Sequence, residues 1–123
     1  MYLMNGSLDL VDILSTMRAH PENRHVQEQG CKALWILSWD EENSQAIGRV
    51  GGVSLILSAM RRFPTSPHLQ LCASESLQNM AHNNDFNRQE IIEQGGVGQV
   101  VNAMMQHMDC VAIQQAGCTF LTN

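Results

Sequence analysis

The four cysteines and five histidines are the residues of this chain that could support nucleophilic or metal chemistry. Cys31, Cys72, Cys110 and Cys118 are separated by 41, 38 and 8 residues, and no CxxC pair occurs. These gaps match no zinc pattern. Three of the cysteines, Cys31, Cys72 and Cys118, fall in apolar helical patterns, where a free thiol acts as a small hydrophobe. We therefore expect no metal site and reduced cysteines rather than disulfides or ligands.

Two glycine pairs and one polar cluster resemble ligand-binding loops but lack essential parts. The glycine pairs at 51–52 and 95–96 have no Lys-Ser/Thr of a P-loop, so they are interpreted as helix breaks. The cluster at 83–85 lacks the alternating oxygen ligands and the final glutamate of a calcium loop. The sequence therefore predicts no cofactor.

The composition indicates a globular helical protein with negative net charge. Hydrophobic residues make up 44% and aromatic residues only 5%, which suits closely packed helices better than a β-sandwich. A net charge of −5 without a basic tract argues against a nucleic-acid partner. No apolar run approaches a membrane span, and no secretory signal is visible, so no membrane association is predicted. Together with reduced cysteines, this predicts an intracellular, cytoplasmic protein, with the nucleus left open.

One unit recurs along the chain with a period of 43 to 44 residues. Gly51-Gly52-Val53 returns as Gly95-Gly96-Val97. Four further columns keep the same register: Met17, Met60 and Met104; Val26, Leu69 and Ile113; Gly30, Ala73 and Gly117; and Leu34, Leu77 and Leu121. Such small units bury their apolar faces only by stacking on one another, so we predict a repeat array with the methionine column in its core.

Periodicity, capping residues and Pro or Gly breaks predict three helices per unit. The expected helices run from about Ser7 to Ala19, Arg24 to Ser38, Asp40 to Val50, Val53 to Arg62, Pro67 to Ala81, Asp85 to Gln94, Val97 to His107, and from about Cys110 onward. Ser7, Asn23 and Ser66 are the expected N-caps, with Asp9 in the first turn. Gly30, beside the small Ala33, predicts close approach by another helix.

The repeated unit resembles the armadillo repeat. It carries Asn-x-x-x-Ile followed by Gly-Gly-Val, an apolar helix, a proline or polar turn, and Val-Gln-Glu-Gln-Gly-Cys-Lys-Ala-Leu at 26–34. The resemblance covers essentially the whole chain, as about two and three-quarter units. It implies an all-α, right-handed α-solenoid in one domain, 1–123, with a partial repeat at 1–51, a repeat at 52–95 in helix 2, helix 3, helix 1 register, and a partial repeat at 96–123. A partial array is expected to be an excerpt from a longer one.

By the same resemblance, the third helices of the units line a concave groove that binds extended peptides or partner helices. In armadillo proteins that carry nuclear-localisation peptides, this helix has a tryptophan and, four residues on, an asparagine that holds the peptide backbone. Here the tryptophan positions are Lys32, Glu75 and Thr119, and the asparagine positions are Ile36, Asn79 and Asn123. Two asparagines and no tryptophan are present, which argues against a nuclear import adaptor.

The candidate groove contacts are Lys32, Trp35, Ile36, Glu75, Gln78, Asn79, Thr119 and Asn123. Trp35 lies opposite Val26 on the helical wheel, so it either anchors a partner or packs on a neighbouring helix or loop. Asn79 either holds a peptide backbone or caps a loop within the chain. Lys32 and Glu75 either set a charge preference or are simply solvated.

Trp39 precedes Asp40-Glu41-Glu42 at a helix junction. We expect it to cover the turn rather than to bind a ligand.

Three functions are compatible with these patterns. The leading hypothesis is a non-enzymatic scaffold that binds a protein or peptide in the groove. The second is a spacer in a longer array that self-associates through apolar surfaces at its ends. The third is a hydrolase using a cysteine and a histidine, which would require these side chains to converge in one pocket; their periodic placement gives no sign of this.

Overall fold

The computed structural model describes residues 9–122, which form eight α-helices in succession. They are α1 (Leu10–Ala19), α2 (Arg24–Leu37), α3 (Glu41–Arg49), α4 (Gly52–Arg62), α5 (Pro67–Ala81), α6 (Asp85–Glu93), α7 (Gly96–Gln106) and α8 (Val111–Leu121). Residues 9–122 contain no β-strand, so the predicted all-α class is confirmed. Apart from the start of α1, the predicted bounds differ from these by one residue or none.

Capping side chains begin the helices where the sequence predicts. The Asn23 side chain accepts a hydrogen bond from the Val26 amide at 3.0 Å, and Ser66 Oγ accepts one from the Leu69 amide at 3.2 Å. Each bond satisfies an N–H group that a helix start leaves without an intrahelical partner. Asn23 and Ser66 are therefore confirmed as N-caps.

The start of α1 differs from its prediction. Asp9 is itself the N-cap and accepts from the Val11 amide at 3.0 Å, instead of lying in the first turn. Aspartate is as good a cap as serine, so the helix begins after the later of the two residues. Ser7, the predicted cap, lies outside the described residues.

The two predicted glycine stops adopt the left-handed conformation. Gly51 and Gly95 have φ angles of 86° and 84°, which any residue with a Cβ adopts only at a cost. Each ends one short helix and begins the next. The break between the two helices therefore falls at the same point of the repeat.

Two layers of helices make up the stack. In one layer α2 packs on α5, and α5 packs on α8. In the other, which we call the outer layer, α4 contacts α1 and α7, and each of these three helices also packs on the long helix that follows it. The short helices α3 and α6 contact each other and connect the layers. None of the described helices is both long and apolar enough to cross a membrane.

The repeated leucines occupy matching positions in the long helices. Leu34 and Leu77 are fully buried, whereas Leu121 is 45% exposed. The difference follows from the stack, because within residues 9–122 no helix packs on α8 from the far side.

Methionines and glycines meet between the layers. A Cβ atom added to Gly30 would overlap the Met17 side chain, and one added to Gly117 would overlap Met104. The predicted close approach at Gly30 is thus confirmed. Met17 and Met60 are buried, and Met104 is half-buried against the core, so the column lies where it was expected.

Three glutamines join the layers by identical hydrogen bonds, which we call the glutamine clamps. Each Nε2 donates to two carbonyl oxygens at the end of the preceding helix. Gln27 reaches Met17 and His20 at 3.0 and 2.9 Å, Gln70 reaches Met60 and Phe63 at 3.0 and 3.0 Å, and Gln114 reaches Met104 and His107 at 2.8 and 2.9 Å. A helix end leaves such carbonyls without intrahelical partners. The repeat period of 43 to 44 residues is therefore present in polar contacts as well as in the core.

The Gln70→Ala change should lower the free energy of unfolding by about 1–3 kcal/mol, because the Met60 carbonyl oxygen loses its partner and the Phe63 carbonyl oxygen keeps only its bond from the Ser66 amide. Urea denaturation followed by circular dichroism measures this. The same change at the exposed Gln29 of α2 is the control and should cost less than about 0.5 kcal/mol. Equal stability of Gln70→Ala and the wild type would contradict the clamp.

Candidate functional site

The predicted contact residues lie on neighbouring helices, on what we call the third-helix surface. It comprises Lys32, Trp35 and Ile36 of α2, Glu75, Gln78 and Asn79 of α5, and Thr119 of α8. Because α2, α5 and α8 pack side by side, positions 43 or 44 residues apart lie next to each other. Lys32 and Thr119 are exposed, and the other five residues are half-buried. Asn123, the eighth predicted contact, lies outside the described residues.

A chain of hydrogen bonds fixes the orientation of Asn79. Ser38 Oγ donates to the Trp35 carbonyl oxygen at 2.7 Å, and its oxygen accepts from Asn79 Nδ2 at 3.0 Å. Since the serine hydroxyl has one proton and has given it to Trp35, the amide nitrogen must face Ser38. One of the two roles predicted for Asn79, a bond within the chain, is therefore present. The amide oxygen faces away from Ser38.

The two tryptophans form an edge-to-face pair at the end of α2. The ring centroids of Trp35 and Trp39 are 5.1 Å apart, with an interplanar angle of 82°. Trp35 is half-buried against the core, whereas Trp39 is 65% exposed. Trp39 lies in the turn between α2 and α3, the junction where the sequence placed it, and its ring contacts Trp35 while most of its surface stays free.

A cleft of about 400 Å³ opens beside Trp39, between the α2–α3 junction and the end of α5. Its lining includes Ser38, Trp39, Glu41, Gln78, Asn79 and His82. The structure thus brings Gln78 and Asn79, which were predicted contacts, together with Trp39, Ser38 and His82, which were not. The repeat could have indicated that Trp39 and His82 lie near each other, because they are 43 residues apart and occupy the same position in successive repeats.

The two charged residues of the third-helix surface, Lys32 and Glu75, influence the pKa of Cys72. Burial and, to a lesser degree, the nearby Glu75 carboxylate raise the pKa of the Cys72 thiol to about 11, while Lys32 acts in the opposite direction. Burial also raises the pKa of Glu75 above its ordinary value. Within the described residues, no ion pair joins Lys32 to Glu75.

One turn before Lys32, a carboxylate links two units. Ser66 Oγ donates to Glu28 Oε2 at 2.5 Å, and Arg24 Nε donates to the same oxygen at 3.2 Å. The Ser66 bond, supported by Arg24, lowers the pKa of Glu28. The cap of α5 is therefore attached to α2, next to the third-helix surface.

The cysteines divide into buried and accessible thiols. All four are unpaired; Cys31 and Cys72 are buried, Cys110 is half-buried and Cys118 is exposed. Burial raises the pKa of Cys31 well above its ordinary value. The apolar pattern around Cys118 misled the prediction of a buried thiol: it occupies the repeat position of Cys31, but nothing within residues 9–122 covers that side of α8. No cluster of three or more metal-ligating side chains occurs among the described residues.

The two-layer stack of short and long helices is that of an armadillo-type α-solenoid. A family model described as the LRRK2 ARM repeat matches residues 1–123, and the chain belongs to this family. The chain is also similar to Protein aardvark of Dictyostelium discoideum, with 40% identity over 80 residues, which are 58% of this chain and 11% of aardvark. It therefore spans only a small part of that relative's length. No solved structure matches the chain.

In the native protein, the Cys118 thiol should react with a reagent such as DTNB at least about tenfold faster than Cys31 or Cys72, because only accessible thiols form reactive thiolate readily near pH 8. Stopped-flow absorbance measures the rates. Cys118→Ser should remove the fast phase, and denaturant should expose the buried thiols. A fast phase that survives Cys118→Ser and maps to Cys31 or Cys72 would contradict the burial.

Proposed function

We propose that this domain is a non-enzymatic scaffold that binds an extended peptide or a helix of a protein partner across the third-helix surface. The observation that supports this most directly is the cleft beside Trp39, where an exposed aromatic ring meets the amides of Gln78 and Asn79. Exposed aromatics in such positions are typical anchors of protein interfaces. The net charge of −5 favours a neutral or basic protein partner.

The contacts of this proposal follow from the geometry of the cleft. Trp39 offers its exposed ring to an apolar or cationic side chain of the partner, and the edge-to-face contact with Trp35 fixes the orientation of that ring. Ser38 holds Nδ2 of Asn79, so the amide oxygen is oriented in advance to accept from a backbone N–H of the partner.

The remaining predicted residues extend the site along the stack. Packed helices lie about 8–10 Å apart, so the span from α2 to α8 is roughly 20 Å, or about six residues of extended peptide. Lys32 and Glu75 would act on charged residues of such a peptide, and Ile36 and Thr119 would contact its apolar and polar side chains.

Peptide-phage selection against the wild type, followed by calorimetry, tests this proposal. Trp39→Ala should weaken the selected peptides by about 1–3 kcal/mol without unfolding the domain, because the ring is mostly exposed. Trp35→Ala should have a similar effect on binding, with some loss of stability. Met105→Ala, an exposed residue of α7 in the outer layer, is the control. Peptides that bind all four proteins equally would overturn the proposal.

Self-association through the end of the stack is a second candidate, favoured by apolar exposure beyond α6 and α8. Ile92, Val97 and Leu121 are 61%, 43% and 45% exposed, and with Phe120 they line a hollow of about 190 Å³. A second copy stacked here would cover them.

An interface between two copies at this end of the stack would differ from the internal contact between α3 and α6. There Asn87 Nδ2 donates to the carbonyl oxygens of Ser44 and Met80 at 3.1 and 2.9 Å, in space left by Gly48. At the end of the stack Ile92 occupies the repeat position of Gly48, so an asparagine of a second copy would find no such space. The second candidate therefore requires an apolar contact rather than a continuation of the internal one.

A concentration series by light scattering should then show assembly of the wild type, and Ile92→Glu should abolish it, since a carboxylate would be buried. Phe86→Glu is the matched control. Glu42 occupies the same position in the preceding repeat and is exposed although α6 packs on α3. A residue at this position is therefore not covered when the next repeat stacks. A monomer at all concentrations would contradict the second candidate and leave the peptide proposal untouched.

A further inference from the structure

A furrow runs along the outer layer over α1, α4 and α7, away from the third-helix surface. It consists of two clefts of about 500 and 260 Å³. Arg18, Arg61 and Arg62 line the first cleft, and Arg61 also lines the second, so the two are adjoining. We call this feature the outer furrow.

The charge of the outer furrow is opposite to that of the chain. The chain has 7 basic and 12 acidic side chains, yet three of its six arginines lie in one cleft. Arg24 and Arg88 pair with Glu28 and Asp85. Among residues 9–122, by contrast, no carboxylate lies within ion-pair distance of the three furrow arginines.

Two of these arginines are held in place by carbonyl groups. Arg18 Nη2 donates to the Val50 carbonyl oxygen at 2.8 Å, and Arg61 Nη2 donates to that of Gln94 at 2.8 Å. A guanidinium has five N–H donors, so each retains donors after this bond. Because the two arginines are one repeat apart, their charges are separated by about one helix spacing, roughly 8–10 Å.

We propose that the outer furrow binds an extended acidic segment of a protein partner. Carboxylates of that segment would pair with Arg18, Arg61 and Arg62, and the amides of Gln99 and Asn102 in the second cleft would bind its backbone. An extended chain advances about 3.3 Å per residue, so acidic residues about three positions apart match the arginine spacing. A single phosphate group is too small to span it.

Fluorescence anisotropy with a labelled ten-residue peptide tests the proposal. The probe carries Glu at every third position with Gly and Ser between, and it is compared with its Gln counterpart and with a peptide holding one phosphoserine. The Glu peptide should bind at least about tenfold more tightly than the Gln peptide, and its affinity should fall as salt screens the charges. Equal binding of the Glu and Gln peptides, or tighter binding of the phosphoserine peptide, would overturn the proposal.

Matched variants separate the outer furrow from overall charge. Arg62 makes no hydrogen bond within the described residues, so Arg62→Gln should preserve the fold and weaken the Glu peptide by about three- to tenfold. Arg24→Gln removes the same charge from α2 and should change affinity less than about twofold. Trp39→Ala should also leave it unchanged, which separates this test from that of the third-helix surface. Equal losses in Arg62→Gln and Arg24→Gln would contradict a local site.

Discussion

The packing of each long helix against the next is the interaction on which this structure depends. α5 lies between α2 and α8, and Leu77, its member of the repeated leucine column, is fully buried. A unit of about 43 residues is too small to bury an adequate core alone, so stability must come from contacts between units. The glutamine clamps then connect each long helix to the helix before it, which sets how the two layers meet.

This arrangement determines where a partner can bind. The stack uses the apolar face of each long helix, so the residues left on the third-helix surface vary between units at little cost to the fold. Position 39 is tryptophan and its counterpart is His82; Lys32, Glu75 and Thr119 differ in charge at one repeated position. The outer layer shows the same division of roles: Arg18 and Arg61 cap carbonyl groups with one N–H and present the others to solvent. Two chemically different surfaces therefore belong to one stack.

Much of the fold could be predicted from the sequence, because each helix boundary has a local cause. Ser66-Pro67 begins α5, and Gly51 and Gly95 end short helices through a backbone conformation that glycine adopts readily. The exposure of Cys118 could not be predicted this way, since a thiol in an apolar pattern is buried only if another helix covers it. The glutamine clamps were missed although Gln27, Gln70 and Gln114 recur in register, because glutamine in a helix normally indicates a solvated position.

The candidate site was harder to predict than the fold. Lys32 and Glu75 share one position of the repeat, but side-chain contacts such as Asn79 with Ser38 depend on rotamers that a pattern does not specify. Trp39 lies in the turn to which the sequence assigned it, but its edge-to-face contact with Trp35 was not predicted, because the turn geometry that brings the rings together is not visible in the pattern.

Native-state hydrogen exchange tests the dependence of this stack on its neighbours most directly. If units stabilise one another, amide protection should be greatest in α5, which is covered on both sides, and should decrease toward α1 and α8. Equal protection of all eight helices, or greatest protection in α8, would contradict this account.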